Sequence, residues 1–213
     1  MTTTAATRRP PTNAGKKFPA EPLNRDEVRR LIGAASVRSS SGLRMRAMIA
    51  VMYGAGLRIG EVLTLFPRDV DTVRGHVRVR NGKGSKARLV GLDPYSCSLL
   101  GAWLERRASL GLNGRQPIFA VYSKGRVGNA LSPRDVRGAL AKLGAKAGIE
   151  KRVHPHGLRH SLAFDLAMSG TPTHAIQAQL GHASLAVTDR YVRHLAPADV
   201  VGLMQQRSWG EET

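Results

Sequence analysis

The chain lacks the features that mark secreted and membrane proteins. It contains one cysteine, Cys97, so no intrachain disulfide can form, and the apolar residues around it indicate a small buried side chain. Residues 1–20 have no apolar signal-peptide core, and no run of about 18 apolar residues predicts a transmembrane helix. We therefore expect a soluble, cytoplasmic protein.

Acidic residues are also scarce. Asp and Glu total 15 against 33 Lys and Arg, which gives a formal net charge of +18 at pH 7 and a pI near 11.3. This excess favours a polyanionic partner, because each cation placed on a phosphate releases condensed counterions. Nucleic acid is the leading candidate. An anionic membrane surface and simple solubility are the alternatives that charge alone leaves open.

The sequence predicts one domain preceded by an arm. Residues 1–20 are rich in Thr, Ala and Pro and carry only basic charges, so we expect a flexible basic arm that contacts DNA or serves as a linker. Apolar residues make up 42% of the 213-residue chain, which is enough for a real core. The domain is therefore expected over residues 21–213.

Apolar spacing and capping signals predict a fold that is mainly α with a small antiparallel β-sheet (α+β). Asn24 with Glu27 is typical of a capping box, and Ser132 before a proline is a strong helix start. Alternation in residues 77–80, followed by turn residues, predicts a β-hairpin with a basic tip. The predicted helices cover residues 24–35, 45–53, 57–65, 96–110, 132–147, 156–169 and 173–180, with another after Ser184 and a tail helix at about 197–206; the predicted strands cover 69–73, 77–80 and 87–92, and 36–42 is a predicted loop.

Two cations occupy positions typical of functional loops. Arg58 begins a short helix after a buried one, and Glu61 lies three residues further on, where it can hold the guanidinium. Lys83 stands between glycines at the hairpin tip, where a lysine can serve as a movable proton donor or a point charge for phosphate. Taken singly, the first pattern also fits a surface ion pair, and the second a solvated hairpin.

The stretch from His154 to His160 places ionisable side chains at the start of a helix. His156 and Arg159 are three residues apart and share a face, and a helix N-terminus favours anions. His154, His156 and His160 also resemble a loose metal site, although no cysteine or carboxylate lies close in sequence to complete one. We interpret His160 as structural.

The last stretch offers a candidate nucleophile. His182 follows a helix stop, and Tyr191 lies beside Arg190 on the next predicted helix. Such a tyrosine alone is most often a half-buried aromatic. Together with two arginines, one lysine and two histidines, and without a carboxylate pair, it indicates metal-free phosphoryl transfer through a tyrosine. Arginines bind phosphate oxygens bidentately, preplaced donors stabilise the charge that builds up, and a leaving 5′-hydroxyl needs an acid.

In order and spacing, these stretches resemble the signature of the tyrosine recombinases, the phage integrase family, and most of all its Xer branch. The resemblance covers residues 22–195 and implies the catalytic-domain fold of the DNA breaking-rejoining enzymes. The matching stretches are AGLRIGEVLTL (55–65), the hairpin GKGSK (82–86), HGLRH (156–160) and LGH (180–182) followed by Tyr191.

The resemblance implies a role for each matched residue. Arg58 and Arg159 would clamp the scissile phosphate, His156 would act as general base or hydrogen-bond donor towards the tyrosine, and Lys83 would protonate the leaving 5′-hydroxyl. Tyr191 would attack the phosphate and form a 3′-phosphotyrosyl link. The supporting residues would be His182 on a phosphate oxygen, Glu61 behind the first arginine, and Lys86, Arg88 and Arg190 on DNA.

The implied activity is site-specific recombination of double-stranded DNA, without metal or cofactor, by a nucleoid-associated enzyme. We expect a homo-oligomer on DNA, a tetrameric synapse in which four cleavage steps exchange strands between two duplexes. The tail helix at about 197–206 would pack into a neighbouring subunit or cover the chain's own core. Family members usually carry an N-terminal helical domain that clamps DNA, and we expect this domain to be absent from this sequence.

Three other functions compete with this one. A type IB topoisomerase shares the chemistry but relaxes supercoils instead of exchanging strands. A non-catalytic DNA-binding protein on the same scaffold would have lost a catalytic residue, and none is missing from the motifs. A basic protein that binds metal through its histidines would lose its function in EDTA.

Overall fold

The computed structural model describes residues 21–80, 87–123 and 125–181. Within these ranges the chain is mostly helical with one small sheet, as the sequence predicts. The predicted arm, the hairpin tip at 81–86, the helix after Ser184 and the tail helix lie outside the described residues. The elements in order are α1 (Arg25–Ala34), α2 (Ser40–Gly54), α3 (Ile59–Leu63), a 3₁₀ turn (Pro67–Asp69), β1 (Val70–Asp71), β2 (His76–Val79), β3 (Arg88–Gly91), α4 (Pro94–Ser109), α5 (Pro133–Lys146), α6 (Pro155–Met168) and α7 (Thr173–Leu180).

The predicted capping residues start two of the helices. At α1 the side chain of Asn24 accepts the Glu27 N–H at 2.8 Å, and the Glu27 carboxylate accepts the Asn24 N–H at 2.8 Å, which is a complete capping box. At α5 the Ser132 hydroxyl accepts the Asp135 N–H at 3.1 Å. Both helix starts are therefore confirmed, because these side chains satisfy backbone donors that have no partner within the helix.

Other boundaries differ from the prediction. The loop predicted at 36–42 is shorter, because the Ser39 hydroxyl accepts the Gly42 N–H at 3.1 Å and starts α2 at Ser40. The helix predicted from residue 96 starts at Pro94, because the carboxylate of Asp93 accepts a backbone N–H at 2.9 Å. The helix predicted at 57–65 is limited to α3, Ile59–Leu63. Local capping decided the starts of α2 and α4.

α2 is the central element of the core. It packs against α1, α3, α4 and α6, and most of its side chains between Met45 and Met52 are buried. A helix that is covered on several sides must be apolar around its circumference, which explains its nearly continuous apolar sequence. A smaller cluster of Leu162, Ala163, Ile176 and Leu180 joins α6 to α7. The C-terminal end of α2 thus lies where α3, α6 and α7 converge.

The sheet has the order β1-β2-β3, and both pairs are antiparallel. The predicted hairpin and third strand are confirmed, although the third strand is reduced to Val70–Asp71. In the register of β2 and β3, Val77 pairs with Val90 and Val79 pairs with Arg88. Arg88 is consequently the first residue of β3 and lies directly after the hairpin tip.

Cys97 is buried, as the sequence predicts. Its Sγ lies 3.6 Å from the Leu92 carbonyl oxygen, and burial raises the pKa of the thiol. In these parts of the chain, no helix combines the length and the apolar character that a membrane crossing requires.

The contact between α5 and the segment leading into α6 yields a stability prediction. A Cβ on Gly144 would lie 2.6 Å from Cγ2 of the buried Val153, whereas a Cβ on Gly138 of the same helix would meet no atom within 4 Å. We expect Gly144→Ala to lower the free energy of unfolding by about 1–3 kcal/mol through overpacking, and Gly138→Ala to raise it by up to about 1 kcal/mol. Urea unfolding followed by circular dichroism measures both, and equal shifts in the two variants would contradict the packing.

Candidate active site

Gly56 sets the geometry of the loop that carries Arg58. Its φ of 66° lies in the left-handed region, and a Cβ there would approach Leu180 Cδ2 to 2.5 Å and Leu162 Cδ2 to 2.8 Å. The loop therefore packs directly on α6 and α7. Arg58 follows in extended backbone as the residue that caps α3, and its carbonyl oxygen accepts the first helical N–H, that of Val62, at 3.0 Å.

Glu61 holds Arg58 in the way that the three-residue spacing indicates. The Arg58 backbone N–H donates to Glu61 Oε2 at 2.9 Å, and Arg58 Nη1 donates to Glu61 Oε1 at 3.1 Å. The Glu61 side chain is 6% exposed, whereas that of Arg58 is 35% exposed. The carboxylate therefore lies below the surface, and the guanidinium that it orients remains accessible.

Arg88 is a second partner of Glu61. Its Nη1 donates to Oε1 at 2.8 Å and its Nη2 to Oε2 at 3.0 Å, a bidentate pair in which the Arg88 side chain is 14% exposed. The family resemblance implies that Arg88 contacts DNA, whereas the structure places its guanidinium on Glu61. Sequence reasoning missed this pairing, because the two residues are 27 positions apart and meet only through tertiary packing.

The two arginines keep Glu61 ionised. Burial by itself would raise the pKa of the carboxyl group. The hydrogen bonds from Arg88 and from the Arg58 backbone N–H, together with the two positive charges, hold the pKa of Glu61 below its ordinary value of 4.5. At neutral pH the group is a carboxylate shared by two guanidinium ions.

Arg159 in α6 is almost fully buried, at 1% exposure. Its Nη1 donates to the Gly56 carbonyl oxygen at 2.6 Å, and its Nη2 donates to the Leu180 carbonyl oxygen at 2.6 Å. These oxygens lie just beyond α2 and at the end of α7, where helix carbonyls have no partner within the helix. Arg159 therefore ties the Arg58 loop and the end of α7 to α6.

The three histidines at the start of α6 make different contacts. His154 is the helix cap, and its Nδ1 accepts the Gly157 N–H at 3.0 Å. His156 and His160 form a pair with their Nε2 atoms 2.8 Å apart and their rings edge to face. Over residues 21–80, 87–123 and 125–181, no three His, Cys, Asp or Glu side chains form a group that could hold a metal ion.

The electrostatic surroundings of His156 are positive. Partial burial lowers the pKa of His156 below its ordinary value of 6.5, and the charges of Arg159 and Arg58 lower it further. The imidazole is therefore neutral at pH 7, and within the pair one histidine donates its Nε2 proton to the other. The structure thus brings His156, Arg159 and Arg58 into one neighbourhood.

Gln179 is a positioning residue that sequence reasoning missed. Its side-chain oxygen accepts the Gly91 N–H at 2.9 Å, and its nitrogen donates to the Gly91 carbonyl oxygen at 2.8 Å and to that of Ala55 at 3.3 Å. One amide thereby joins the end of β3, the end of α2 and α7. The sequence placed it in a short helix and carried no signal of these distant partners.

The remaining predicted site residues are not in the described ranges. These are Lys83, Lys86, His182, Arg190 and Tyr191. The described part contributes Arg58, Glu61, Arg88, His156 and Arg159: Arg58 and Arg88 hold the Glu61 carboxylate, and the charges of Arg58 and Arg159 act on a neutral His156. Such an arrangement suits the binding of a phosphate and the stabilisation of negative charge on it.

Comparisons with known proteins show the family to which the chain belongs. A protein-family model described as "Phage integrase family" matches residues 21–197. Tyrosine recombinase XerA of Thermococcus kodakarensis is 38% identical over 193 residues, which cover 89% of this chain and 65% of the relative. Tyrosine recombinase XerD of Bifidobacterium longum is 35% identical over 189 residues, which cover 84% and 59%. The chain thus spans less than two thirds of the length of these relatives.

Solved structures show the same fold. The crystal structure of XerA recombinase has a TM-score of 0.74 at 34% identity, covering 89% of this chain and 66% of that one. A post-cleavage complex of XerH site-specific recombinase bound to palindromic difH substrate has a TM-score of 0.71 at 26% identity, covering 88% and 53%. The described architecture is therefore that of a tyrosine recombinase catalytic domain.

The ionised state of Glu61 yields a prediction for acid stability. Because its pKa is lowered on folding, its contribution to stability is present above pH 4.5 and is lost as pH falls through the folded-state value. We expect Glu61→Gln to lower the free energy of unfolding by roughly 1–3 kcal/mol at pH 7, and the difference from the unmodified chain to shrink below about pH 4.5. Denaturant unfolding from pH 7 to pH 3 measures this, with the exposed Glu150→Gln as control. A difference that stays constant with pH would contradict it.

Proposed function

Because the chain belongs to the phage integrase family, we propose that it cleaves and rejoins DNA strands as a site-specific recombinase, through a 3′-phosphotyrosyl intermediate on Tyr191 and without a metal ion. The observation that carries the proposal is the assembly of Arg58, Glu61, Arg159 and a neutral His156 at the meeting point of α3, α6 and α7. This assembly offers preplaced positive charge and no pair of carboxylates for a metal.

Arg58 is the phosphate ligand that we assign first. Its side chain is 35% exposed, so a DNA phosphate can approach the guanidinium while Glu61 fixes its orientation. A planar guanidinium matches two phosphate oxygens at once, and negative charge builds up on these oxygens as the nucleophile attacks. Arg58 would therefore bind the transition state more tightly than the ground state.

We assign Arg159 a structural task as well as its proposed clamp role. The residue is 1% exposed, and its guanidinium already donates to the Gly56 and Leu180 carbonyl oxygens. A direct contact between Arg159 and phosphate therefore requires the site to open around this side chain when DNA binds. Loss of Arg159 would affect both the geometry of the Arg58 loop and the charge at the phosphate.

His156 is proposed to act as general base or as hydrogen-bond donor towards the tyrosine. Its lowered pKa keeps the imidazole neutral at pH 7, which is the form that a general base needs. Because Nε2 lies 2.8 Å from the Nε2 of His160, we assign the reactive role to Nδ1. The positive surroundings also favour the ionised form of a phenol that comes close.

The remaining roles rest on the family motifs. The phenol oxygen of Tyr191 would attack the phosphorus, and the bond to the 5′ oxygen would break as Lys83 donates its proton. His182 would support a phosphate oxygen. Rejoining reverses the step, since the 5′-hydroxyl attacks the phosphotyrosyl bond and returns the tyrosine. Energy is conserved in the covalent link, so no nucleotide is consumed.

The partner that we propose is double-stranded DNA in the nucleoid. The net charge of +18 supports this partner, as does the XerH relative, which was solved with its difH substrate. Four cleavage steps between two duplexes need four active sites, so we propose a homo-oligomer on DNA. Within this chain we assign residues 21–213 to the catalytic unit and residues 1–20 to a basic arm.

The nucleophile is tested by Tyr191→Phe. The change removes only the hydroxyl that would form the covalent bond, so we expect the protein–DNA adduct to disappear while DNA affinity is retained. Nicked duplexes from an attachment-site library, with EDTA present, trap the adduct on a denaturing gel, and a mobility shift reports binding. An adduct formed by the phenylalanine variant would rule out Tyr191.

The phosphate ligand is tested by Arg58→Ala. Loss of a preplaced donor to the reacting phosphate is expected to slow single-turnover cleavage by about 10²–10³-fold. Arg38→Ala is the matched control, because it removes the same charge from an exposed loop at the opposite end of α2. Equal cleavage rates in the two variants would contradict the role of Arg58.

A further inference from the structure

One carboxylate in this site is shared by two arginines of different exposure. The Glu61 side chain is 6% exposed and lies between an inner arginine, Arg88, which is 14% exposed, and an outer one, Arg58, which is 35% exposed. Arg88 holds both carboxylate oxygens, at 2.8 and 3.0 Å, whereas the Arg58 guanidinium holds one, at 3.1 Å. The inner arginine is therefore the stronger partner of the carboxylate.

The sharing of Glu61 between Arg88 and Arg58 determines how much positive charge Arg58 presents at the surface. Arg58 and Glu61 alone would form a neutral pair, and the carboxylate would compete with any phosphate for the guanidinium. With Arg88 the three groups carry a net charge of +1, and that charge is centred on the outer arginine. In a partly buried site such a difference is weakly screened, so it acts strongly on an approaching anion.

The position of Arg88 is set by its backbone and by Gly181. Arg88 is the first residue of β3, and a Cβ on Gly181 would lie 2.6 Å from its Nε. Within the described residues Arg88 Nε is buried without a hydrogen-bond partner, so both of its described hydrogen bonds go to Glu61 through the terminal nitrogens. A side chain buried in this way is poorly placed to contact DNA.

We propose that Arg88 is a positioning residue for the strand-cleavage reaction: it neutralises and orients Glu61, so that Arg58 keeps its charge for the scissile phosphate. The proposal rests on the proposed function, and it differs from a DNA contact by Arg88 itself. In this role Arg88 acts through the shared carboxylate, which is the group that its described side-chain hydrogen bonds reach.

The first experiment compares single-turnover cleavage by the unmodified chain, Arg88→Met, Glu61→Gln and the double variant. We expect Arg88→Met to slow cleavage of bound DNA by about 10–100-fold, by analogy with the loss of a residue that orients a metal ligand. DNA affinity and its salt dependence should change little. Adding Glu61→Gln to Arg88→Met should restore cleavage several-fold, because it removes the carboxylate that would then neutralise Arg58.

A purely structural role or a DNA contact would give other results. If Arg88 only stabilised the fold, the double variant would be no faster than Arg88→Met. If Arg88 bound a backbone phosphate, Arg88→Met would reduce the salt dependence of binding by about one counterion and leave cleavage of bound DNA unchanged. Either result, or cleavage by Arg88→Met at the unmodified rate, would overturn the proposal. Thermal unfolding of each variant confirms that the compared proteins are folded.

A second experiment requires no catalysis and separates this proposal from the proposed function. Inorganic phosphate is titrated into each variant without DNA, and the Nε–H signal of Arg58 is followed by NMR. We expect phosphate to shift this signal in the unmodified chain and to shift it less in Arg88→Met. In the double variant the shift should again approach that of the unmodified chain. If the unmodified chain forms no DNA adduct but shows this pattern, the proposed function fails, while the effect of Arg88 on the charge of Arg58 stands. Equal phosphate responses in all variants would overturn the role of Arg88.

Discussion

The buried guanidinium of Arg159 is the contact on which the rest of the site depends. It joins three segments that are distant in sequence, because it projects from α6 and donates to carbonyl oxygens beside the ends of α2 and α7. Those two oxygens lie two residues before Arg58 and His182. A single side chain thus fixes where the Arg58 loop begins and where the chain leaves α7. Gly56 allows this close approach, since a side chain there would collide with Leu180 and Leu162.

Electrostatic balance is the second constraint. The site concentrates arginines, and their mutual repulsion is relieved by one buried carboxylate, Glu61, which accepts from both Arg58 and Arg88. The same positive surroundings keep His156 neutral at pH 7. A phosphate entering such a site supplies the negative charge that the protein itself lacks. The fold therefore leaves positive charge at the surface, and in the proposed function a DNA phosphate balances it.

The sequence predicted the local features and missed the distant ones. The capping box at Asn24, the cap at Ser132 and the pairing of Arg58 with Glu61 depend on spacings of three residues, which are visible in the chain. The partnership of Arg88 with Glu61 spans 27 residues and depends on the register of β3, and the contacts of Gln179 span 88 residues or more. Such contacts are set by tertiary packing, which spacing alone does not encode. The roles of Lys83, His182 and Tyr191 stay predictions from the family motifs.

The most direct test of the account is to identify the atom of the protein that becomes bonded to DNA. The adduct formed on a nicked duplex in EDTA would be digested with protease and nuclease, and the nucleotide-bearing peptide identified by mass spectrometry. The account predicts a nucleotide joined through its 3′ phosphate to the peptide that contains Tyr191. An adduct on another residue, a 5′ linkage, or strand cleavage that appears only when a divalent metal is added would contradict it.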